Sequence, residues 1–274
     1  MNKILIFALL ILLAVLFLLP VLWNVLSAFK PATEILTYPP TLWPRNFSLE
    51  QFQKLFTAGN GIFFRFIRNT VYMTFFTIIL VLIVSTLSAY GLSVLPFRGS
   101  KLIFILILAI MMVPFQSLLI PLYNLMNRLH LLDTIAGMVL VYSTFFMPLC
   151  IFLLKNYFSS LPASIRESAR LDGAGELTIL WRIYLPLSLP ALATCLVYLF
   201  LETWNDFVLS LIYSSSNNVK NIQVGIMNFG KQRFQSDWGI INAGTAFSIV
   251  PTVLIFLLLQ RYYVQGMTSG SNKE

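Results

Sequence analysis

Long apolar runs alternate with short polar segments along this chain. Each run holds about 20 residues or more, and about 20 helical residues cross the roughly 30 Å hydrocarbon core of a bilayer. The pattern predicts an all-α integral membrane protein with six transmembrane helices in one bundle, a single domain over residues 1–274. The first run is longer than the about 15 residues of a signal-peptide core, so we expect it to remain as a span. The predicted spans are residues 4–29, 69–95, 102–127, 134–154, 187–213 and 239–260.

Composition agrees with the membrane prediction. Apolar residues make up 58% of the 274 residues and charged residues only 10%, whereas a soluble domain carries about 25% charged residues. The net charge of +8 is spread over the polar segments without forming a dense basic stripe, so nucleic-acid binding is not expected. Cys150 and Cys195 lie inside apolar runs, where we expect small buried side chains and no disulfide.

The segment LPASIRESARLDGAGELTILWRIYLPLSLP, residues 161–190, is a polar island between two predicted spans. Ser164 precedes Glu167 by three residues, a spacing typical of a capping box at the start of a helix. Gly173 is expected to end this helix, because glycine commonly follows a helix C-terminus, and a side chain there is expected to fill the bend. Residues 176–184 are predicted to form a second short helix before Pro186. The island therefore predicts two short helices joined by a tight bend beyond the lipid.

Catalytic and metal-binding patterns are missing from the sequence. His130 is the only histidine and no cluster of ligand residues accompanies it, so no metal site is expected. The stretch GIMNFGKQ at residues 225–232 resembles a phosphate-binding loop, but Gln232 replaces the Ser or Thr that would hold magnesium. The chain is therefore predicted not to be an enzyme and not to use a nucleotide itself.

Two carboxylates interrupt the fifth predicted span. Glu202 and Asp206 are four residues apart and hence share one face of a helix. A carboxylate at membrane depth costs about 3 kcal/mol on insertion scales, so both side chains should face protein or water. Two interpretations stay open: the carboxylates pair with a cation or cap backbone near the end of the span, or they line a polar pathway.

The polar island resembles the signature E-A-A-x-x-x-G-x(9)-I-x-L-P of permease subunits of ATP-binding cassette importers. The matching residues are Glu167, Ala169, Gly173, Ile183, Leu185 and Pro186, and Ser168 replaces one alanine of the signature. Four further stretches are similar to the MalG-type second permease of the carbohydrate uptake importers: AYGLSVLPFRGS at 89–100, IPLYNLMNRLHLLDT at 120–134, LETWNDFVLSL at 201–211 and LLLQRYYVQGMTSGSNKE at 257–274.

The resemblance implies a function and a set of partners. In this family the signature loop is cytoplasmic and docks into a groove of an ATPase subunit, which binds ATP and Mg, so no cofactor is expected in this chain. The implied partners are a second homologous permease, two ATPase subunits, an extracellular sugar-binding protein and membrane lipid. The coupling loop is residues 161–186, and the residues implied to contact the ATPase are Glu167, Ser168, Ala169, Asp172, Gly173, Ala174, Ile183, Leu185 and Pro186. Leu171, Leu177 and Leu180 are expected to add an apolar face.

Charge alone decides the orientation only weakly. Nine Lys and Arg lie on the side of the termini and nine on the other side, although Arg98 and Lys101 fall in the tightest connection and favour cytoplasmic termini. A cytoplasmic signature loop implies the same orientation in a cell membrane. It also implies that segments 30–68 and 214–237 lie outside, where the second is expected to be a flexible loop that receives the binding protein.

The sugar path is predicted from side-chain chemistry, because aromatic faces stack on sugar rings and polar groups bond to hydroxyls. The candidates are Tyr123, Asn124, Glu202, Trp204, Asn205 and Asp206. Two other functions remain open at this point: a secondary transporter with Glu202 and Asp206 as its ion site, or a membrane scaffold without transport.

Overall fold

The computed structural model describes residues 3–95, 97–230 and 237–269, and this part of the chain contains helices and turns without a β-strand. The all-helical prediction is confirmed. The helices in chain order are α1 (Lys3–Ala28), α2 (Ala32–Ile35), α3 (Glu50–Ser93), α4 (Ser100–Met111), α5 (Phe115–Arg128), α6 (Ile135–Ser160), α7 (Ala163–Leu171), α8 (Glu176–Ile179), α9 (Leu185–Leu187), α10 (Leu189–Trp204), α11 (Val208–Tyr213), α12 (Ile222–Gly230) and α13 (Trp238–Ser269). A π-helical turn, Leu180–Tyr184, joins α8 to α9.

Four helices within the described residues are long and apolar enough to cross a membrane: α1, α3, α6 and the Trp238–Arg261 part of α13. Two bent helix pairs raise the number of candidate spans to as many as six. The pairs are Ser100–Met111 with Phe115–Arg128, bent by 100°, and Glu176–Leu187 with Leu189–Trp204, bent by 77°.

Both bends lie at a proline. Pro114 forms the N-cap of α5, and Pro190 lies in the first turn of α10. A proline has no backbone N–H and disfavours the α conformation of the residue before it, so it is tolerated in a first turn and ends the preceding helix. Pro121, Pro148 and Pro251 instead lie inside helices.

Helix α3 contains a break that the apolar pattern does not reveal. Residues 58–61 have non-helical backbone angles, with positive φ at Gly59, Asn60 and Gly61. Glycine and asparagine adopt this left-handed conformation at low cost. The turns before the break correspond to a short amphipathic helix beginning at Glu50, and the turns after it form the long apolar segment that ends at Ser93.

By residue contacts the chain divides into two compact units, the first comprising the described residues of 1–68 and 220–251. Its core is aliphatic and aromatic: Ala28, Leu55, Phe63, Phe66, Ile222, Ile226, Ile240, Ala243 and Ala246. The prediction of a flexible loop across residues 214–237 is wrong for 222–230, which form α12. Ile222 and Ile226 are spaced one turn apart and are buried against this core, and that burial stabilises the helix. Lys231 and Gln232 lie outside the described residues.

The second unit comprises the described residues of 69–219 and 252–274. One part of its core gathers residues from α3, α6, α7 and the π-helical turn, and a second part lies around Tyr142 and Tyr213. Cys150 and Cys195 are buried and unbridged, which confirms the prediction for both side chains. The polar island and the two carboxylates of α10 belong to this unit.

Candidate functional site

The first helix of the polar island begins two residues earlier than the capping box predicts. Helix α7 starts at Ala163 with Pro162 as its N-cap, and no side chain bonds to the first turn as a cap. The predicted capping box of Ser164 and Glu167 is therefore wrong. Pro162 disfavours the α conformation of Leu161 and fixes the helix start directly behind itself, which leaves Ser164 inside the first turn.

The bend after α7 is a Schellman motif. The Ala174 N–H donates to the Ala169 carbonyl and the Gly173 N–H donates to the Arg170 carbonyl, both at 3.0 Å. Gly173 has φ +82°, so the prediction that it ends the helix is confirmed. A Cβ added to Gly173 would meet nothing within 4 Å, however. Glycine is needed here for its backbone conformation, and the predicted filling of the bend by a side chain is wrong.

The residues of the predicted coupling set divide between the two faces of the island. Glu167, Ser168, Asp172, Gly173 and Pro186 are exposed. The others are buried or half-buried and pack on the apolar core of the second unit: Ala169, Ala174, Ile183 and Leu185. The signature therefore combines a surface available to a partner with a packing face that fixes the short helices to the spans.

A large apolar surface lies beside the exposed set. Leu171 is 90% exposed, Leu177 67% and Trp181 60%. Leu180 was expected on this face but is only 1% exposed, because the π-helical turn directs it into the core. Trp181, the next residue, is exposed on this face instead of Leu180. The apolar pattern of the sequence does not predict which of the two side chains is exposed, because that depends on the widened π-helical turn.

A charged cluster that sequence reasoning missed joins the two short helices. The Glu176 carboxylate accepts from Arg166 Nη2 at 2.9 Å, from Arg170 Nε at 2.7 Å and from the Tyr90 hydroxyl at 2.7 Å. The hydrogen bond that Arg166 donates to Glu176 raises the pKa of the Arg166 guanidinium, so the pair stays charged. In the sequence, the opposite charges of Arg166 and Glu176, ten residues apart across a glycine bend, could have indicated this ion pair. The hydrogen bond from Tyr90 could not be found in this way, because Tyr90 lies on a distant helix.

A cavity of about 700 Å³ lies in the second unit, and three of the six predicted sugar-path residues line it: Glu202, Asn205 and Asp206. Most of the remaining lining is apolar or aromatic, including Phe145, Phe146 and Tyr198. Pockets of this size and composition, with a few polar groups, are typical of sites for small molecules.

The other three predicted path residues lie elsewhere. Trp204 is buried and stacks on Phe200, with ring centroids 5.3 Å apart. The Tyr123 ring lies 6.2 Å from that of Tyr213, and Asn124 is exposed on α5. Helical rotation explains the separation, because Trp204 lies about 200° around α10 from Glu202.

Asp206 has a local structural role in addition to its place at the cavity. Its carboxylate accepts from the Leu209 N–H at 3.0 Å, from the Ser210 N–H at 2.8 Å and from the Tyr142 hydroxyl at 2.9 Å. The two backbone bonds satisfy free donors in the first turn of α11. The Asp206 carboxylate thus caps backbone, as one of the two interpretations predicts. It also lines the cavity together with Glu202, one turn earlier.

The described residues thus form an all-helical chain with candidate membrane spans, a short helical pair and a cavity with polar groups at its wall. Residues 84–269 match the family of the binding-protein-dependent transport system inner membrane component. The chain belongs to this family, the permease subunits of ATP-binding cassette importers. It is the non-catalytic membrane component of a binding-protein-dependent system, and ATP is bound by the partner ATPase. This assignment replaces the secondary-transporter and scaffold interpretations.

Two similar permease proteins support the family assignment. The chain is 33% identical over 263 residues to the arabinooligosaccharides transport system permease protein AraQ of Bacillus subtilis (strain 168), covering 95% of this chain and 92% of that protein. It is 35% identical over 236 residues to the alpha-glucoside transport system permease protein AglG of Rhizobium meliloti (strain 1021), covering 84% of this chain and 61% of that protein.

A solved structure has the same fold. It is a bacterial ABC transporter involved in the import of the acidic polysaccharide alginate, and one of its chains superposes with a TM-score of 0.82 at 25% identity, covering 95% of both chains. The predicted class of fold is therefore confirmed over nearly the full length of this chain.

Proposed function

We propose that this chain translocates a carbohydrate, an oligosaccharide or a related sugar, delivered by an extracellular solute-binding protein. The names of the relatives support this substrate class, since AraQ transports arabinooligosaccharides and AglG an alpha-glucoside. The observation that carries the proposal in this chain is the cavity with Glu202 and Asn205 at its wall and aromatic rings around them. Carboxylate and amide groups bond to sugar hydroxyls, and aromatic faces stack on sugar rings.

In this proposal residues 161–186 form the coupling segment that docks on an ATPase subunit. The exposed apolar side chains Leu171, Leu177 and Trp181 flank the exposed signature residues and supply a surface of the kind that interfaces bury. A bend fixed by Gly173 keeps the two short helices in one orientation. Closure of the ATPase pair would then displace the segment as a body and reorient the spans.

The partners and orientation follow from the same proposal. The working transporter contains a second homologous permease, two ATPase subunits and the binding protein. Both termini and residues 161–186 face the cytoplasm, while residues 30–68 and the described part of 214–237 face outward. The short basic connection with Arg98 and Lys101 supports this orientation.

Uptake by the reconstituted transporter tests the substrate class. The co-encoded binding protein is first screened for thermal stabilisation against a panel of neutral oligosaccharides, and the stabilising sugar is then offered to proteoliposomes that contain the assembled transporter. ATP-dependent accumulation is expected, with no effect of a proton uncoupler. Stabilisation by non-sugar ligands alone would contradict the carbohydrate assignment.

Substitution of Gly173 tests the coupling segment. Gly173→Asp is expected to leave the chain inserted and assembled but to abolish ATP-dependent uptake, since it places a charged side chain on the exposed surface proposed to dock on the ATPase. Gly175→Ala is the matched control, because Gly175 has φ −75° and open space around its Cβ position. Normal uptake in the Gly173→Asp variant would argue against the coupling role of this segment.

A further inference from the structure

We propose that Glu176 is a positioning residue for transport, which makes the coupling helix α7 and the spanning helix α3 move as one body. The inference rests on the proposed coupling role of residues 161–186. Glu176 occupies a position that the family signature leaves unspecified, between the bend at Gly173 and Ile183. Its carboxylate nevertheless receives hydrogen bonds from two separate helices.

The first set of bonds holds α7 to α8. Arg166 donates to Glu176 through Nε at 3.3 Å and through Nη2 at 2.9 Å, and Arg170 reaches the same carboxylate at 2.6 to 2.7 Å. Arg166 and Arg170 are four residues apart and so lie on one face of α7. Two cations on one helix thus hold one carboxylate on the other, across the turn at Gly173.

The second bond connects this pair to the spans. The Tyr90 hydroxyl, from the last turn of α3, donates to Glu176 Oε2 at 2.7 Å. The Tyr90 ring packs edge-on against Tyr184 of the π-helical turn, with centroids 5.2 Å apart, and Phe158 of α6 packs edge-on against both rings at 6.3 and 5.6 Å. All three rings are buried. Tyr90 therefore links the charged cluster to the aromatic packing where α3 and α6 approach their ends.

The geometry favours a positioning role over a contribution to stability. The side chains of Arg166, Arg170 and Glu176 are 20%, 55% and 28% exposed, and ion pairs at such exposure contribute little to folding. Forked guanidinium–carboxylate contacts do fix relative orientation, because their donors and acceptors must align. Ala169 of α7 also packs in the apolar core that includes Ala89 and Val94 near the end of α3. The cluster adds to this packing a directional polar connection from α7 through Glu176 to α3.

Distance measurements between spin labels test this proposal. Labels are attached at Ser164→Cys on α7, which lies outside the set of residues proposed to contact the ATPase, and at Leu87→Cys on α3. Both positions are exposed, while the native Cys150 and Cys195 are buried. The assembled transporter, with its ATPases, is studied in nanodiscs with and without trapped ATP and vanadate. We expect a narrow distance distribution in both states, because α7 and α3 move together.

Glu176→Gln is expected to broaden the distribution about twofold in the trapped state, since the neutral amide loses its charged hydrogen bonds to both arginines. Tyr90→Phe removes one hydroxyl and is expected to broaden the distance distribution less. The distribution in the double variant should be no broader than in Glu176→Gln alone. Glu50→Gln is the control, because Glu50 pairs with Lys54 on an exposed helix face outside the coupling segment. If Glu176→Gln does not assemble, the distance distribution in Tyr90→Phe tests the proposal instead.

Two outcomes overturn the proposal. The first is a distance distribution in Glu176→Gln that does not differ from that of the unsubstituted chain. The second is a broadening in Tyr90→Phe and Glu176→Gln that is the same whether or not the ATPases are bound. A failure of the underlying coupling role is recognised separately. Leu171→Cys should be shielded from a water-soluble maleimide when the ATPases are bound. If shielding is absent in the otherwise native chain, the docking of the segment is wrong, whatever the label distances show.

Discussion

The Tyr142 hydroxyl donates a 2.9 Å hydrogen bond to the Asp206 carboxylate, which also accepts the backbone N–H groups of Leu209 and Ser210. Tyr142 is fully buried on α6, and Asp206 follows α10 at the start of α11. One carboxylate therefore caps a helix and satisfies a buried phenol from another element. A charge at this depth is tolerated because its oxygens are bonded in the folded chain.

Asp206→Ala should destabilise the chain by about 3 kcal/mol, since it removes a helix cap and leaves the buried Tyr142 hydroxyl without this acceptor. Asp206→Asn keeps one carbonyl acceptor and should cost less. The melting temperature of the detergent-solubilised chain measures both changes. If Asp206→Ala abolished uptake without lowering the melting temperature, Asp206 would be a substrate contact and not a structural cap.

Glu202→Gln should raise the half-saturating concentration of the transported sugar about fivefold, because a charged acceptor at the cavity wall becomes a neutral one. The melting temperature should stay the same. Asn124→Ala is the matched control, since Asn124 is exposed on α5 and does not line the cavity. Uptake kinetics in proteoliposomes separate the two variants, and equal effects at both positions would contradict the assignment of the cavity.

Gly225→Ala should destabilise the first unit by about 1 to 3 kcal/mol, because a Cβ at this position would lie 2.2 Å from Phe66 Cδ2. Phe66→Leu in the same chain should recover part of the loss by making room. Gly91→Ala provides the comparison: its Cβ would meet nothing within 4 Å, so it should be neutral or slightly stabilising in α3. Thermal unfolding of the purified chain distinguishes the three variants.

Gly173 allows backbone conformation to be separated from side-chain bulk. Its φ of +82° and the open space around it predict that Gly173→Asn retains more uptake than Gly173→Val, although the two side chains are similar in size. Asparagine enters the left-handed region readily, whereas a β-branched residue does so at high cost. ATP-dependent uptake measures the difference. Equal loss in both variants would mean that an exposed partner contact at this position, and not φ, is what matters.

Glu34 organises the segment that follows α1. Its carboxylate accepts from the Arg45 and Asn46 backbone N–H groups and from the Thr41 hydroxyl, and the bond from Arg45 is the main cause that holds the pKa of Glu34 below its usual value of 4.5. Because the folded pKa is depressed, the stabilisation is present above pH 4.5 and is lost as the pH falls through the folded pKa.

Hydrogen exchange of the peptide covering residues 36–47, corrected for intrinsic rates, should therefore increase on acidification below pH 4.5. Glu34→Gln should show fast exchange at neutral pH and little further change on acidification. Glu50→Gln, which removes one side of an exposed ion pair with Lys54, should leave the peptide protected. Protection that persists in Glu34→Gln would remove the carboxylate as the organising group.

Much of this protein can be read from the sequence alone, because apolar length and spacing are local properties. The runs of about 20 apolar residues predict the membrane helices, Gly173 predicts the end of α7, and the spacing of Glu167, Gly173 and Pro186 identifies the family. The position of Asp206 four residues after Glu202 predicts a carboxylate that caps backbone or faces a pathway, and the fold makes it a cap.

Other features were decided only by the tertiary structure. Pro162, and not Ser164, sets the start of α7, and the π-helical turn exchanges Leu180 for Trp181 at the surface. Whether Glu202 or Trp204 faces the cavity depends on the rotation of α10 within its unit. The junction of Tyr90 with Glu176 joins residues 86 positions apart. Such contacts depend on how helices pack, and a periodicity along one helix carries no information about the side chains of another.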